Sequence, residues 1–261
     1  MTATAAVPVP MLRPVIPVGE PVHAKVAKVA TRCSTCGLRE MCLPCGLSGQ
    51  DVDRVDDLIY TRRRLKRGES LYRAGDGFSS LYAIRSGFFK TVQTLEDGRD
   101  QVTGFNMAGE MMGMDGIGSE AHVLNAVALE DSEVCVIPYS RLESLGRDMH
   151  ELRHQFHKVM SREIVREHGV MLLLGTMRAE ERLATFLLNL SQRFTARGYS
   201  PSEFNLRMTR EEIGSYLGLK LETVSRAFSR FQEDGLISVQ QKHIHILDVD
   251  GLRKVMGQTS R

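Results

Sequence analysis

Four of the five cysteines lie between Cys33 and Cys45, and the fifth is Cys135. The spacing Cys33-x2-Cys36-x5-Cys42 gathers three soft donors in one short stretch of chain, as a thiophilic metal or an iron–sulfur cluster requires. A fourth donor must come from elsewhere. Cys135, 93 residues after Cys42, lies in Ser132-Glu-Val-Cys-Val-Ile-Pro138, a predicted strand that can carry its sulfur to the loop. A structural zinc closed by Cys45 or a histidine satisfies the same first x2 pair, so these residues leave zinc and iron–sulfur equally open. Cys45, in Cys42-Leu-Pro-Cys45, is a competing thiolate. An odd, clustered set of five fits a disulfide framework poorly and a reducing compartment well.

Two other clusters invite the same counting. His150, His154 and His157 recur at i, i+4 and i+7, but Arg147, Asp148, Glu151, Arg153 and Lys158 surround them, and a solvated helix start is the better account. Met107, Met111, Met112 and Met114 read as adaptable core filling.

A different chemistry stands near the C-terminus. Leu221 to Asp234 has the period of a helix that buries Val224, Phe228 and Phe231 and turns Glu222, Ser225, Arg226, Ser229 and Arg230 outward. Arg226 can donate paired hydrogen bonds to guanine O6 and N7, Glu222 can accept from cytosine N4, and Ser225 can serve either base. Before it, Thr209-Arg-Glu-Glu212 has the form of a capping box, and Gly218-Leu219 makes a turn between two short helices. Alternating Ile237, Val239, Ile244 and Ile246 follow, with Lys242 between them. This is a predicted winged helix-turn-helix facing double-stranded DNA.

These groups need elements to hold them. Residues 1–32 contain five of the eight prolines and little periodicity, and are expected to form a flexible arm. The cysteine loop spans 33–46. Over 47–146, ten of the 23 glycines fall between Gly68 and Gly118 and separate short runs such as Ser80–Arg85, Phe88–Gln93 and Gln101–Phe105. Short strands joined by tight turns predict a small antiparallel barrel or roll. Over 147–177 a proline-free helix is predicted, in which Met160, Ile164, Glu167, Met171 and Leu174 step by four, three, four and three, the spacing of a coiled-coil seam in a homodimer. Leu152, Phe156 and Val159 supply an adjoining stripe for packing on the roll. In a parallel dimer Glu167 meets its own symmetry mate, and that repulsion is expected to hold the protein monomeric until a signal adds a small favourable increment. Residues 178–261 form the DNA-facing domain.

Composition excludes several classes. The 261 residues, 42% hydrophobic and 25% charged with no tryptophan, suit an ordinary globular protein of one or two domains, and the strand-then-helix order read above makes the expected class α+β. The balance of 34 Lys+Arg against 32 Asp+Glu gives +2, so any nucleic-acid surface must be local. No signal-peptide pattern stands at the N-terminus, and the longest apolar stretch, Val170–Leu174, is far short of a membrane span, so a cytoplasmic protein without a membrane partner is expected.

Leu81-Tyr-Ala-Ile-Arg-Ser-Gly87, Gln101-Val-Thr-Gly-Phe105, Ala179-Glu-Glu-Arg-Leu183 and Glu222-Thr-Val-Ser-Arg226, in that order, resemble the CRP/FNR superfamily, and within it the FNR-like regulators, from about Cys33 to Val249. The resemblance implies an N-terminal cyclic-nucleotide-binding-like β-roll, a long dimerisation helix and a C-terminal winged helix-turn-helix. It implies an oxygen-labile [4Fe-4S] cluster on Cys33, Cys36, Cys42 and Cys135, which promotes homodimerisation and DNA binding until oxygen converts it to [2Fe-2S] and removes it. On the same basis Met160, Ile164, Glu167 and Met171 fall on the dimer seam. Glu222, Ser225 and Arg226 take base-contacting roles on a TTGAT-like half-site within an inverted repeat. Activation through RNA polymerase is implied, with the Glu96-Asp-Gly-Arg99 turn resembling a contact loop. Where relatives that bind cyclic AMP hold its phosphate with an Arg-Ser pair, this chain has His122-Val123, so no cyclic nucleotide is expected. A CRP-fold regulator with a structural zinc or another sensory input is the alternative.

Overall fold

A computed structural model of the chain describes residues 32–58, 61–95 and 97–257. The arm expected over 1–32 lies outside the described residues except for Arg32, as does Glu96 of the Glu96–Arg99 turn.

The cysteine loop contains one short 3₁₀ turn, Arg39–Met41, and leads into α1 (Gly49–Leu58). Ser48 caps this helix by accepting a hydrogen bond from the Asp51 N–H at 3.2 Å, and Val52, Val55 and Leu58 share its buried face. Eight strands follow: β1 (Thr61–Leu65), β2 (Ser70–Tyr72), β3 (Ser80–Ser86), β4 (Phe88–Thr94), β5 (Asp100–Met107), β6 (Met111–Met112), β7 (Asn125–Ala128) and β8 (Ser132–Pro138). They form two four-stranded antiparallel sheets, β1-β8-β3-β6 and β2-β7-β4-β5. The corner between β3 and β4 needs Gly87: its φ is +95°, and a Cβ there would sit 2.0 Å from Ser132 Oγ.

Strand alternation divides the roll's apolar residues between two cores. Val134 and Ile84 join Leu65, Leu71, Phe89 and Met112 in one. Cys135 and Ile137, with Leu81 and Ala83, face the other side and are covered by the cysteine loop, α1 and the helices that follow. In the register of β3 with β8, Ala83 lies opposite Cys135.

The predicted helix over 147–177 is two helices. Arg147 and Asp148 close α2 (Tyr139–Asp148), and α3 runs His150–Thr176. Met149 between them is extended, with φ −122° and ψ 96°. The break has a packing cause: Met149 is buried in the core that also takes Leu142 and Leu152, and the extended residue lets both helices turn an apolar face inward.

The C-terminal part comprises α4 (Ala179–Thr195), β9 (Glu203–Asn205), α5 (Arg210–Leu217), α6 (Leu221–Glu233), β10 (Ile237–Gln240), β11 (His243–Ile246) and α7 (Val249–Val255), with a three-stranded antiparallel sheet β10-β11-β9. The capping box forms reciprocally: Glu212 N–H donates to Thr209 Oγ1 at 3.1 Å and Thr209 N–H to Glu212 Oε2 at 2.7 Å. Gly218, at φ +63°, ends α5 in the left-handed conformation. Helices on faces and ends of antiparallel sheets make this an α+β fold.

The two parts share a core. Phe105 on β5 packs against Phe186 of α4 and Tyr216 of α5, with ring centroids 6.0 and 5.1 Å away. Lys90 Nζ meets Glu212 Oε1 at 2.7 Å, and the Val102 N–H donates to Ser215 Oγ at 2.8 Å.

Candidate functional site

Cys33, Cys36, Cys42 and Cys135 line one pocket, about 390 Å³ counted to its open mouth, together with Ala83, Pro44 and the arginines 32, 39 and 85. Cys45 does not line it. The loop is folded by tight turns, in which Cys36 N–H donates to Cys33 O and Cys45 N–H to Cys42 O, both at 3.1 Å. It is anchored to α1 through Asp56, whose carboxylate accepts from the Cys33 N–H and from Ser34 Oγ at 2.6 Å. Arg39 Nη2 closes its far end by donating to Leu47 O at 2.6 Å. Against the roll, a Cβ on Gly109 would sit 3.1 Å from Met41 Cβ, so glycine permits the close approach. The small Ala83 leaves room beside Cys135.

All five cysteines are free. Burial, followed by the neighbouring Cys42 sulfur and the Asp56 carboxylate, raises the Cys33 thiol well above its ordinary range. Burial is also the main reason the Cys42 thiol is pushed up to about 12, with Cys135 and Cys36 adding to it. Cys135 is raised by burial against the opposing pull of Arg85 and Arg62. Such thiols are neutral unless a cation replaces their protons, and a bound metal reverses that preference. Arg85 Nη1 lies 3.8 Å from Cys36 Sγ, so positive charge is already in place to offset a set of thiolates. Among the described residues no group of three or more His, Cys, Asp or Glu is gathered closely enough to hold a single metal ion. Four thiols on a loop and a strand, beside a basic wall, are donors of the kind that a thiophilic metal or an iron–sulfur cluster takes.

The pocket shares its core with α3. Cys33 and Cys135 belong to one apolar cluster with Leu152, and Cys42, Phe156 and Val159 pack against it. Beyond this contact one face of the helix is open: Ile164, Val165, Met171 and Leu172 are 53, 65, 62 and 60% exposed. Met160 is half-buried and Glu167 exposed. Leu173, by contrast, is buried in the core of the C-terminal part. His150, His154 and His157 are all exposed, as expected of a solvated helix start, and Met107, Met111 and Met112 are buried in the core.

On α6, Val224, Ala227, Phe228 and Phe231 are buried. Glu222, Ser225 and Arg226 are exposed, with no hydrogen-bond or ion-pair partner among the described residues. Arg230, expected on the same face, is instead committed to Glu180 at 2.7 Å and Asp234 at 3.8 Å. Arg210, at the start of α5, lies over the Phe228 ring and locks the two helices together.

Residues 62–148 match the family described as Cyclic nucleotide-binding domain, and residues 181–255 the Crp-like helix-turn-helix domain. Over 231 residues the chain is 48% identical to the Transcriptional regulatory protein btr of Bordetella pertussis, covering 88% of this chain and 96% of that one. Over 230 residues it is 45% identical to the Fumarate and nitrate reduction regulatory protein of Escherichia coli, covering 88% and 92%. The chain belongs to the CRP/FNR family of transcription regulators. Among solved structures, FixK2 from Bradyrhizobium japonicum is similar with a TM-score of 0.70 at 28% identity, over 76% of this regulator and 98% of that chain. The regulator is a DNA-binding protein, not an enzyme. No helix among the described residues is long and apolar enough to cross a membrane.

One constellation escaped the reading of the sequence. Glu110, after β5, accepts from Arg193 at 2.7 and 3.1 Å and from Arg197 at 2.7 Å, both on or just after α4, and from Arg166 of α3 at 3.4 Å. It ties the roll to the DNA-binding domain. Its partners lie 56 to 87 residues away, and no local pattern announces them.

Proposed function

We propose that this regulator is an oxygen-responsive activator of anaerobic metabolism whose [4Fe-4S] cluster is held by Cys33, Cys36, Cys42 and Cys135. The observation that carries the reading is the gathering of these four cysteines, and not Cys45, in one pocket continuous with the core under α3. When bound, the cluster supplies an oxygen-labile link between the cysteine loop and β8.

The chain's own residues do the rest. With the loop seated, Leu152, Phe156 and Val159 hold the first turns of α3 at a set angle, which presents Met160, Ile164, Glu167 and Met171 to a second copy. The apolar members favour association, and Glu167 opposes it, so the balance is small: about 1.4 kcal/mol changes the monomer–dimer ratio tenfold. Dimerisation gives two α6 helices related by a two-fold axis, matching inverted half-sites of the TTGAT type, read by Glu222, Ser225 and Arg226. The exposed turn at Asp97–Arg99 is offered to RNA polymerase.

The functional division is then a cysteine loop over 33–46, a sensor roll over 47–146, a dimerisation helix over 147–177 whose continuous part is α3, and a DNA-binding domain over 178–261, preceded by the arm at 1–32. No cyclic nucleotide takes part. His122 is stacked on Tyr72 with centroids 3.7 Å apart and lies 3.3 Å from Asp115, so an aromatic stack occupies the position where a phosphate-binding arginine would stand. The protein works in the cytoplasm, where DNA and a reducing poise coexist.

The test is iron, sulfide and absorbance on protein purified without oxygen and then exposed briefly to air. About four irons and four sulfides per chain, a broad charge-transfer band that changes in air, and a parallel fall in dimer by sedimentation are expected. One zinc per chain with a featureless visible spectrum would overturn the cluster and leave a zinc-stabilised regulator of the same fold.

A further inference from the structure

Cys45 is left over from the four-cysteine set, yet it is bound to Cys42 by local geometry. Cys42-Leu-Pro-Cys45 is a turn closed by the Cys45 N–H to Cys42 O hydrogen bond at 3.1 Å. A four-residue turn brings its first and last Cα atoms within about 7 Å, which overlaps the span of roughly 4.4–6.8 Å that a disulfide bridges. Both residues are half-buried and both thiols are free. Cys42 points into the pocket and Cys45 does not line it, so a bond between them must draw the Cys42 sulfur away from the other three.

We propose that Cys45 is a redox-modification site that captures Cys42 as a disulfide once the cluster has gone, blocking reassembly until a thiol reductant reopens it. The inference rests on the ligand set proposed above. The oxidant is a hydroperoxide such as hydrogen peroxide. Cys45–SH attacks one peroxide oxygen, giving Cys45–SOH and water. The Cys42 sulfur then attacks the Cys45 sulfur, its proton leaves with the hydroxyl as a second water, and the S–S bond forms. In sum two thiols lose two electrons and two protons, and one peroxide becomes two waters. A dithiol reductant, itself becoming a disulfide, returns both thiols.

Cys33-Ser-Thr-Cys36 is closed by an equivalent turn, so turn geometry alone does not choose between the pairs. The ligand set does. Cys33 and Cys36 both line the pocket and are both engaged while metal is bound, whereas Cys45 stays available to oxidant throughout. It is therefore oxidised first and waits for its neighbour. With Cys42 withdrawn, three pocket thiols remain, one fewer than the usual four ligands of a [4Fe-4S] cluster.

The full chain carries its own readout. Tryptic cleavage after Arg39 and Arg54 yields residues 40–54 with both Cys42 and Cys45, and cleavage after Arg32 and Arg39 yields residues 33–39 with both Cys33 and Cys36. Protein purified without oxygen is stripped of its iron with a chelator, still without oxygen, and treated with one equivalent of hydrogen peroxide; its remaining thiols are then alkylated and the two peptides are weighed. The 40–54 peptide is expected unalkylated and lighter by two hydrogens, the 33–39 peptide doubly alkylated, and free thiols reduced from five to three. Iron reloading should need prior dithiol treatment in the native chain and not in Cys45→Ser. A disulfide within 33–39, a cross-link to Cys135, or full alkylation of 40–54 after iron has left would overturn the proposal. Iron content as purified separates the two readings: protein that holds no iron defeats the cluster, while the peptide masses still decide the disulfide.

Discussion

Glu110→Gln removes the carboxylate on which three guanidiniums converge. Side-chain exposure is 22% for Glu110 and 7% for Arg197, so the charges left behind are poorly solvated. Breaking a buried pair by deleting one partner costs about 3–5 kcal/mol, and the residual solvent contact of Glu110 sets the expectation at the lower end, about 3 kcal/mol. Urea unfolding followed by far-ultraviolet circular dichroism suits a chain without tryptophan. Because Arg193 and Arg197 belong to the DNA-binding half, the variant should also lose cooperativity, with the roll and the winged helix unfolding in separable transitions. The pH dependence has a definite sign. Burial opposes ionisation of Glu110, but Arg193 and Arg166, followed by Arg197, outweigh it and hold its carboxyl below the usual carboxylate range. A depressed folded-state value makes the contribution complete above the unfolded value of about 4.3, and it is lost as the pH falls through the folded one. Native and variant stabilities should therefore converge in acid. A gap below about 0.5 kcal/mol at neutral pH, the size of an ordinary surface substitution, would refute the reasoning, as would a gap that widens in acid.

Arg226→Ala should weaken specific DNA binding by about 1–3 kcal/mol and relax base preference at one position, without lowering thermal stability; competition binding at fixed salt checks both. Glu167→Ala should raise the dimer fraction in air, and an unchanged monomer fraction in sedimentation would reject the repulsion assigned to it. Ile164→Asp should abolish the dimer while leaving monomer stability within about 0.5 kcal/mol, since the side chain is 53% exposed in the single chain. Leu152→Ala should cost about 2–5 kcal/mol and hasten iron loss in air, measured by the decay of visible absorbance, because it opens a cavity beneath the cysteine loop.

Much of this architecture was legible from short-range pattern. Strands β3, β4, β5 and β8 fall on the predicted runs, and the Thr209 capping box and Gly218 turn formed as their residue types require. The cysteine spacing grouped Cys33, Cys36 and Cys42, and the family resemblance, not the local pattern, singled out Cys135 over Cys45 as the fourth; the structure lines one pocket with these four. Helix α1 has no counterpart among the predicted elements, although Ser48, Asp51, Val52, Val55 and Leu58 carry a cap and a period; its few apolar residues stand among acidic ones at the start of the stretch assigned to the roll. The break at Met149 could not be read, because neither proline nor glycine marks it and its cause is burial in a core assembled from distant segments. Arg230 and Glu110 show the same limit. Whether an exposed charge is free for DNA or spent on a neighbour depends on Glu180, 50 residues away, and pairing at that range has no periodic signature.

Helix α3 is anchored toward its two ends, Leu152 in the core below the cysteine loop and Leu173 in the core that the roll shares with the DNA-binding domain, with Arg166 bonded to Glu110 between them. They are 21 residues apart, or about 31 Å at about 1.5 Å per residue. Treated as a stiff rod, a tilt of about 5° at the first point moves the second by about 2.7 Å, more than half the spacing between neighbouring β-strands. A small displacement beside the cysteines is thus magnified at the far end of the helix, where Leu173 enters the shared core. Under the function proposed above, the stiffness of one helix carries that displacement past the Glu110 contact that steadies its middle.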